Sequence, residues 1–216
     1  MPRPALPAGL YAITDPALLP GERLAAGVAE AVAGGARIVQ YRDKEADPAT
    51  RRQRARQVLA ACRAGGALCL VNDDAALAAE LGADGVHLGR DDDDPARARA
   101  IIGPDRIMGI SCYDQPALAA AAVAAGADYV AVGSVWASAT KPGAVRAPLG
   151  LVTTLAQRLP VPLVAIGGVT RANAAATIAA GAHCVAVIRD LFADPDPRTA
   201  AQVLSAACEH GRRALK

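Results

Sequence analysis

The chain has 216 residues, 53% hydrophobic and only 3% aromatic, with 23 basic against 21 acidic residues for a formal charge of +2. This composition excludes a disordered chain and predicts one or at most two compact cores built from Ala, Val, Leu and Ile. Acids and bases alternate without a basic arm, and aromatic stacking groups are scarce, so nucleic acid is not an expected partner.

The opening stretch MPRPALPAGL lacks the long apolar core of a signal peptide. No later run approaches the ~18 apolar residues that span a bilayer, so no membrane partner is expected and the chain reads as cytoplasmic. A first strand is expected at 10–14 (LYAIT), then a helix near 22–33. The second strand lies in ARIVQYRDK, with a helix near 48–64, and the third at 67–71 (ALCLV), with a helix near 74–81. GVHLG forms the fourth, before a helix near 94–102, and 106–111 (RIMGIS) the fifth, before a helix near 115–125. DYVAVGS, 161–167 (VPLVAIG) and HCVAVI supply the last three strands, each followed by a helix, near 149–158, 171–180 and 197–210.

One unit recurs: an Ala-rich helix stops at Gly, and an apolar strand of four to six residues follows. AVAGGARIVQYRDK, AAELGADGVHLGRDD, AAVAAGADYVAVGS and TIAAGAHCVAVIRD are four copies, each with Gly where the helix must stop with positive φ. Strictly alternating strands and helices imply parallel strands joined by crossover helices. Eight such units in about 200 residues suit a closed α/β (β/α)₈ TIM barrel, a single domain over 1–216, better than the alternative of an open doubly wound sheet. Five scattered cysteines without a CxxC pair read as buried, reduced thiols.

In a barrel the C-terminal strand ends converge on one rim, where active sites sit. Ile38, Gln40, Arg42 and Lys44 share a parity, so the three polar members are expected above the barrel axis. The competing reading is a solvated strand end with Arg and Lys reaching to water. Carboxylates follow the third and fourth strands, cations the second and sixth, and Gly or small polar groups the fifth, seventh and eighth. Such sorting describes an anionic ligand with a divalent metal. Asp73 and Asp92 are the candidate Mg²⁺ carboxylates, since Mg²⁺ takes one or two carboxylates and completes its shell with water and phosphate oxygens. Their neighbours Asp74 and Asp94 read as helix N-caps. Gly167 and Gly168 expose backbone N–H groups suited to phosphate, and the SATKPG loop, with Ser138, Thr140 and Lys141, suits closure over a ligand. His87 and His183 lie within strands and read as structural, and GxSxG, HExxH and P-loop signatures are absent.

QYRDK, VNDD, GVHLGRDD, GISCYD, VGSVWASATKPG, AIGGVT and VAVI fall in the order and approximate spacing of the thiamine-phosphate synthase family, and the resemblance covers nearly the whole chain. The resemblance implies a (β/α)₈ barrel that joins 4-amino-5-hydroxymethyl-2-methylpyrimidine pyrophosphate to hydroxyethylthiazole phosphate, releasing pyrophosphate. It assigns Gln40, Arg42, Lys44 and Asn72 to the pyrimidine pyrophosphate, Asp73 and Asp92 to Mg²⁺, and Ser111 and Lys141 to the pyrophosphate. Ser138, Thr140, Gly168 and the backbone around Ile188 and Arg189 are assigned to the thiazole phosphate, and a homodimer is suggested. Arg42, Lys44, Ser111 and Lys141 are the implied catalytic set. Three positions depart from the pattern: Arg90, Ser138 and Arg189. Alternatives of other kinds are a thiazole tautomerase of the same superfamily, a silent barrel that senses thiamine precursors, and an aldolase-like phosphate-handling barrel. The lack of a histidine at a strand end argues against the tautomerase, the intact polar sets against the sensor, and the lack of a Lys inside a strand against the aldolase.

Overall fold

Each Ala-rich stretch becomes a helix and each apolar run a strand, and the strands close on themselves in the order β1 to β8. The computed structural model describes residues 3–89, 94–137 and 145–215. The strands are β1 (Gly9–Ile13), β2 (Ile38–Tyr41), β3 (Leu68–Asn72), β4 (Gly85–Leu88), β5 (Ile107–Tyr113), β6 (Tyr129–Val132), β7 (Leu163–Ile166) and β8 (Cys184–Val187). Every neighbouring pair is parallel, and β1 pairs with β8 to complete the barrel. Between them run α1 (Arg23–Ala33), α2 (Pro48–Gly65), α3 (Ala75–Leu81), α4 (Pro95–Ile102), α5 (Pro116–Ala124), α6 (Leu149–Arg158) and α7 (Ala174–Ala179). A four-residue α8 (Arg189–Phe192), not anticipated from the sequence, precedes the long α9 (Pro197–Arg213). No helix among the described residues is long and apolar enough to cross a membrane.

The helix stops act as expected. Gly35, Gly82, Gly126 and Gly181, the four repeat glycines, all have positive φ, between 66° and 112°. In two copies the next polar residue has a structural task at the far end of the barrel from the rim. Asp84 accepts a hydrogen bond from Cys69 N at 2.8 Å, and Asp128 accepts one from Met108 N at 2.8 Å. Each carboxylate thus satisfies the first part of the preceding strand, a site where a buried N–H would otherwise lack a partner. Asp128 also pairs with Arg99 at 2.7 Å and with Arg3.

Two layers of packing result. Between strands and helices lies an aliphatic shell that includes Leu10, Val39, Val71, Val86, Val130 and Val185, and the five cysteines outside any disulfide are all buried. Inside the barrel lie Tyr11, Ile13, Ile38, Leu70, Ile107, Tyr129, Ala131, Val164, Cys184 and Ala186. Strand alternation sorts the two sets, because successive residues face opposite sides of the sheet.

The Asp128 network predicts a separation of stability from activity. Asp128→Asn removes a charge from a mostly buried cluster and should cost about 2 kcal/mol, lowering the melting temperature by about 4–8 °C. Turnover measured well below that temperature should be unchanged; a loss of turnover in folded protein would show that the cluster reaches the rim.

Candidate active site

The rim is built from the ends of β2 to β5. Strand β2 ends at Tyr41, so of the three polar residues expected on its inner face only Gln40 lies in the strand, buried at 3% exposure. The placement of Arg42 and Lys44 over the axis by strand parity is therefore corrected: both lie in the loop that follows. Arg42 is half-buried, and its backbone N–H donates to Thr14 Oγ1 at 2.9 Å, tying the loop to the end of β1. Asp43, of the opposite parity, is buried, accepts from Arg54 Nη1 at 2.7 Å and from Glu45 and Ala46 N–H, and so fixes the turn. Burial pushes the Asp43 carboxyl up, but Arg54 and the two N–H groups more than reverse this and hold it below the ordinary carboxylate value.

Lys44 crosses to the next strand end. Its Nζ lies 2.8 Å from Asp73 Oδ2, with the lysine side chain 53% and the aspartate 26% exposed. Asn72 closes β3 and aligns in register with His87 of β4. Asp73 has φ of 65°, and Asp74 N–H donates to Asn72 O at 2.8 Å, an i to i+2 bond that marks a γ-turn of the rarer, strained hand. Asp73 N–H is held by His87 O at 2.8 Å. The backbone thus pays strain to present Asp73, whereas Asp74 caps α3 through Leu77 N at 2.8 Å, as its spacing predicts. Asp94 likewise caps α4.

A cleft of about 190 Å³ opens here, lined by Tyr41, Asp43, Lys44, Arg51, Asn72, Asp73 and others. Tyr41 OH and Arg51 Nε are buried and without a hydrogen-bond partner among the described residues. Burial first, and the nearby Asp43 carboxylate second, push the Tyr41 hydroxyl well above its ordinary value, so it remains a donor. Both atoms belong to the wall between β2 and α2, behind the Lys44–Asp73 pair. Sequence reading missed both, because Tyr41 points to the helix side of β2 and Arg51 lies a turn into α2.

The barrel floor beside this cleft is polar. Gln40 Nε2 donates to Tyr11 OH at 2.8 Å, Tyr11 OH meets Tyr129 OH at 2.9 Å, and Tyr129 OH meets His87 Nδ1 at 2.7 Å. His87 Nε2 lies 2.9 Å from Ser111 Oγ. His87 lies within β4, as expected, as its penultimate residue, and is 8% exposed. Gly109 makes the meeting possible. It lies in register between His87 on one side and Tyr129 on the other, and a Cβ there would sit 2.0 Å from the Tyr129 ring. The His87 and Tyr129 rings stack with centroids 5.6 Å apart.

Across the rim, Gly167 and Gly168 both have positive φ. A Cβ on Gly168 would lie 2.3 Å from Ala137 O, so only glycine fits there. Asn173 braces this turn by donating to Gly168 O and accepting from Thr170 N. Ile188 N-caps α8 and Arg189 is exposed; the ion pairs in this region belong to Arg171, with Asp190 and Asp194. The structure thus brings Gln40 and Ser111 together through the floor, and Lys44, Asn72 and Asp73 in the cleft. Arg90, Asp92, Ser138, Thr140 and Lys141 lie outside the described residues.

The sequence model of the thiamine monophosphate synthase family matches residues 10–191. This chain belongs to that family. Among curated relatives, the thiamine-phosphate synthase of Thioalkalivibrio sulfidiphilus is 52% identical over 201 residues, covering 93% of this chain and 95% of its own. That of Chromobacterium violaceum is 52% identical over 197 residues, covering 91% and 94%. The solved structure of thiamine phosphate pyrophosphorylase from Pyrococcus furiosus superposes with a TM-score of 0.86 at 32% identity, covering 95% of this chain and 97% of that one.

Two backbone predictions follow from this family member's rim. Asp73→Gly should be more stable than Asp73→Ala by about 1 kcal/mol, since only glycine adopts positive φ without penalty; equal urea midpoints would contradict the strain. Gly109→Ala should cost about 3 kcal/mol through overpacking, and a neutral effect on the same denaturation curve would show that Tyr129 moves freely.

Proposed function

We propose that the chain is a thiamine-phosphate synthase, a transferase that joins 4-amino-5-hydroxymethyl-2-methylpyrimidine pyrophosphate to hydroxyethylthiazole phosphate and releases pyrophosphate. Family membership supports the reaction class, and the observation that carries the assignment of this site is the Lys44–Asp73 pair at a cleft that Arg51 and Asn72 also line. The pyrimidine substrate would be held by Gln40 and Asn72, with its pyrophosphate against Arg42, Lys44, Ser111 and Lys141. Ser138, Thr140, Gly168 and the backbone at Ile188 and Arg189 would receive the thiazole phosphate.

The chemistry needs no protein nucleophile. The departing pyrophosphate leaves a methylene whose positive charge the aminopyrimidine ring delocalises, and the thiazole nitrogen then bonds to that carbon. Cationic side chains lower the barrier by neutralising the charge that grows on the leaving group, and the walls hold the two rings in line. Asp73 fits a magnesium ion as one carboxylate of an oxygen shell shared with phosphate, and Asp92 would be the second. When bound, that ion would supply additional positive charge to the leaving pyrophosphate. Lys44 would hold the Asp73 carboxylate in place at the edge of the cleft and would present its charge to the leaving phosphate.

His87 weighs against the tautomerase reading. Both of its ring nitrogens are engaged, by Tyr129 and by Ser111, which is the environment of a fixed imidazole and a poor one for a proton-abstracting base. We place the reaction in the cytoplasm, where the five unpaired, buried thiols are stable.

Mixing the protein with both precursors and magnesium should yield thiamine phosphate by mass, and chelator should abolish it. Asp73→Gly and Lys141→Ala, each folded, should lose about 10²–10³ in turnover. Near-normal turnover in both would refute the assigned roles, and no product from the wild-type chain would refute the reaction.

A further inference from the structure

The floor of the barrel has a direction. Gln40 Nε2 donates to Tyr11 OH, so Tyr11 must place its own proton elsewhere, and its other partner is Tyr129 OH. Tyr129, accepting from Tyr11, spends its proton on His87 Nδ1. The nitrogen that accepts carries no hydrogen, so the His87 proton resides on Nε2 and is donated to Ser111 Oγ. Ser111 then keeps its own hydroxyl proton, which has no acceptor among the described residues. Gln40 Oε1 is the free atom at the other end, with no donor among them. Burial pushes both tyrosine hydroxyls well above their ordinary value, so each holds the proton that the chain requires.

We propose that Tyr11, Tyr129 and His87 are positioning residues: the hydrogen-bonded chain they form makes Ser111 a donor and Gln40 an acceptor toward the open end of the barrel. An aminopyrimidine offers the complement, an amino group that donates and ring nitrogens that accept, so a floor with opposite polarity at its two ends admits the ring in one orientation. This inference rests on the pyrimidine substrate proposed above. None of the three residues need touch the reacting atoms. They act by holding Gln40, assigned above to the ring, and Ser111, assigned above to the pyrophosphate and here given a second contact with the ring edge, and Gly109 acts by giving Tyr129 the space to reach His87.

Long-range ¹⁵N–¹H correlation spectra of the histidine-labelled wild-type protein test the direction without any assay. The chain has three histidines, and the His87 signals are those missing from His87→Gln. The proposal expects a single neutral tautomer with hydrogen on Nε2. Hydrogen on Nδ1 would reverse every bond in the chain and overturn it. In Tyr129→Phe, Nδ1 loses its donor; the tautomer should become mixed, and kcat/KM for the pyrimidine pyrophosphate should fall about tenfold, with KM for the thiazole phosphate unchanged. A merely structural tyrosine would leave the tautomer intact or raise both KM values together, and either result overturns the positioning role. A wild-type chain that lacks synthase activity yet shows the Nε2 tautomer would refute the function while leaving the direction of the chain standing.

Discussion

A closed eight-stranded barrel has little room on its axis, and here Gly109 decides how that room is used. Its missing side chain lets Tyr129 of β6 reach across β5 to His87 of β4, and the contact continues to Tyr11 and Gln40 on one side and Ser111 on the other. Had the position carried any side chain, the ring would be displaced and the floor would fall back to unconnected polar groups, each costly to bury alone. Fully connected, the same groups form a rigid polar surface under the rim.

Above that floor the design is electrostatic. The strained turn at Asp73 holds a carboxylate out toward Lys44, while Asp43 is drawn inward by Arg54 and stiffens the loop that carries Arg42 and Lys44. Neighbouring aspartates therefore do unlike work: Asp43 and Asp74 set backbone geometry, and Asp73 is left for the ligand side. The half-exposed Lys44–Asp73 pair contributes little to stability, on the order of 0–1 kcal/mol, so its value lies in keeping two opposite charges poised at one edge of the cleft.

Much of the fold was legible because local rules governed it. Gly at each repeat stop needed positive φ, Asp74 and Asp94 marked the starts of α3 and α4, and strict alternation forced a parallel closed sheet. Parity over-reached at β2, where the strand stops at Tyr41 because Asp43 finds Arg54 eleven residues on, a partner that helix packing supplies. The partners of His87 were not legible for a similar reason. A lone histidine in an apolar strand reads as core, and its partners lie 42 and 24 residues away, brought together by register alone. A glycine at the inward position between a histidine strand and a tyrosine strand was the available signal. The short α8 gave none, being four residues without a side-chain cap.

The proposed seat of the pyrimidine pyrophosphate is one end of the barrel, the rim over the Gln40–Ser111 floor. A crystal structure with that substrate and magnesium tests this most directly. The ring should rest between Gln40 and Ser111, with its phosphates reaching Lys44 and the ion at Asp73. A ligand seated at the opposite end, near Asp84 and Asp128, or a ring that leaves the floor untouched, would contradict it.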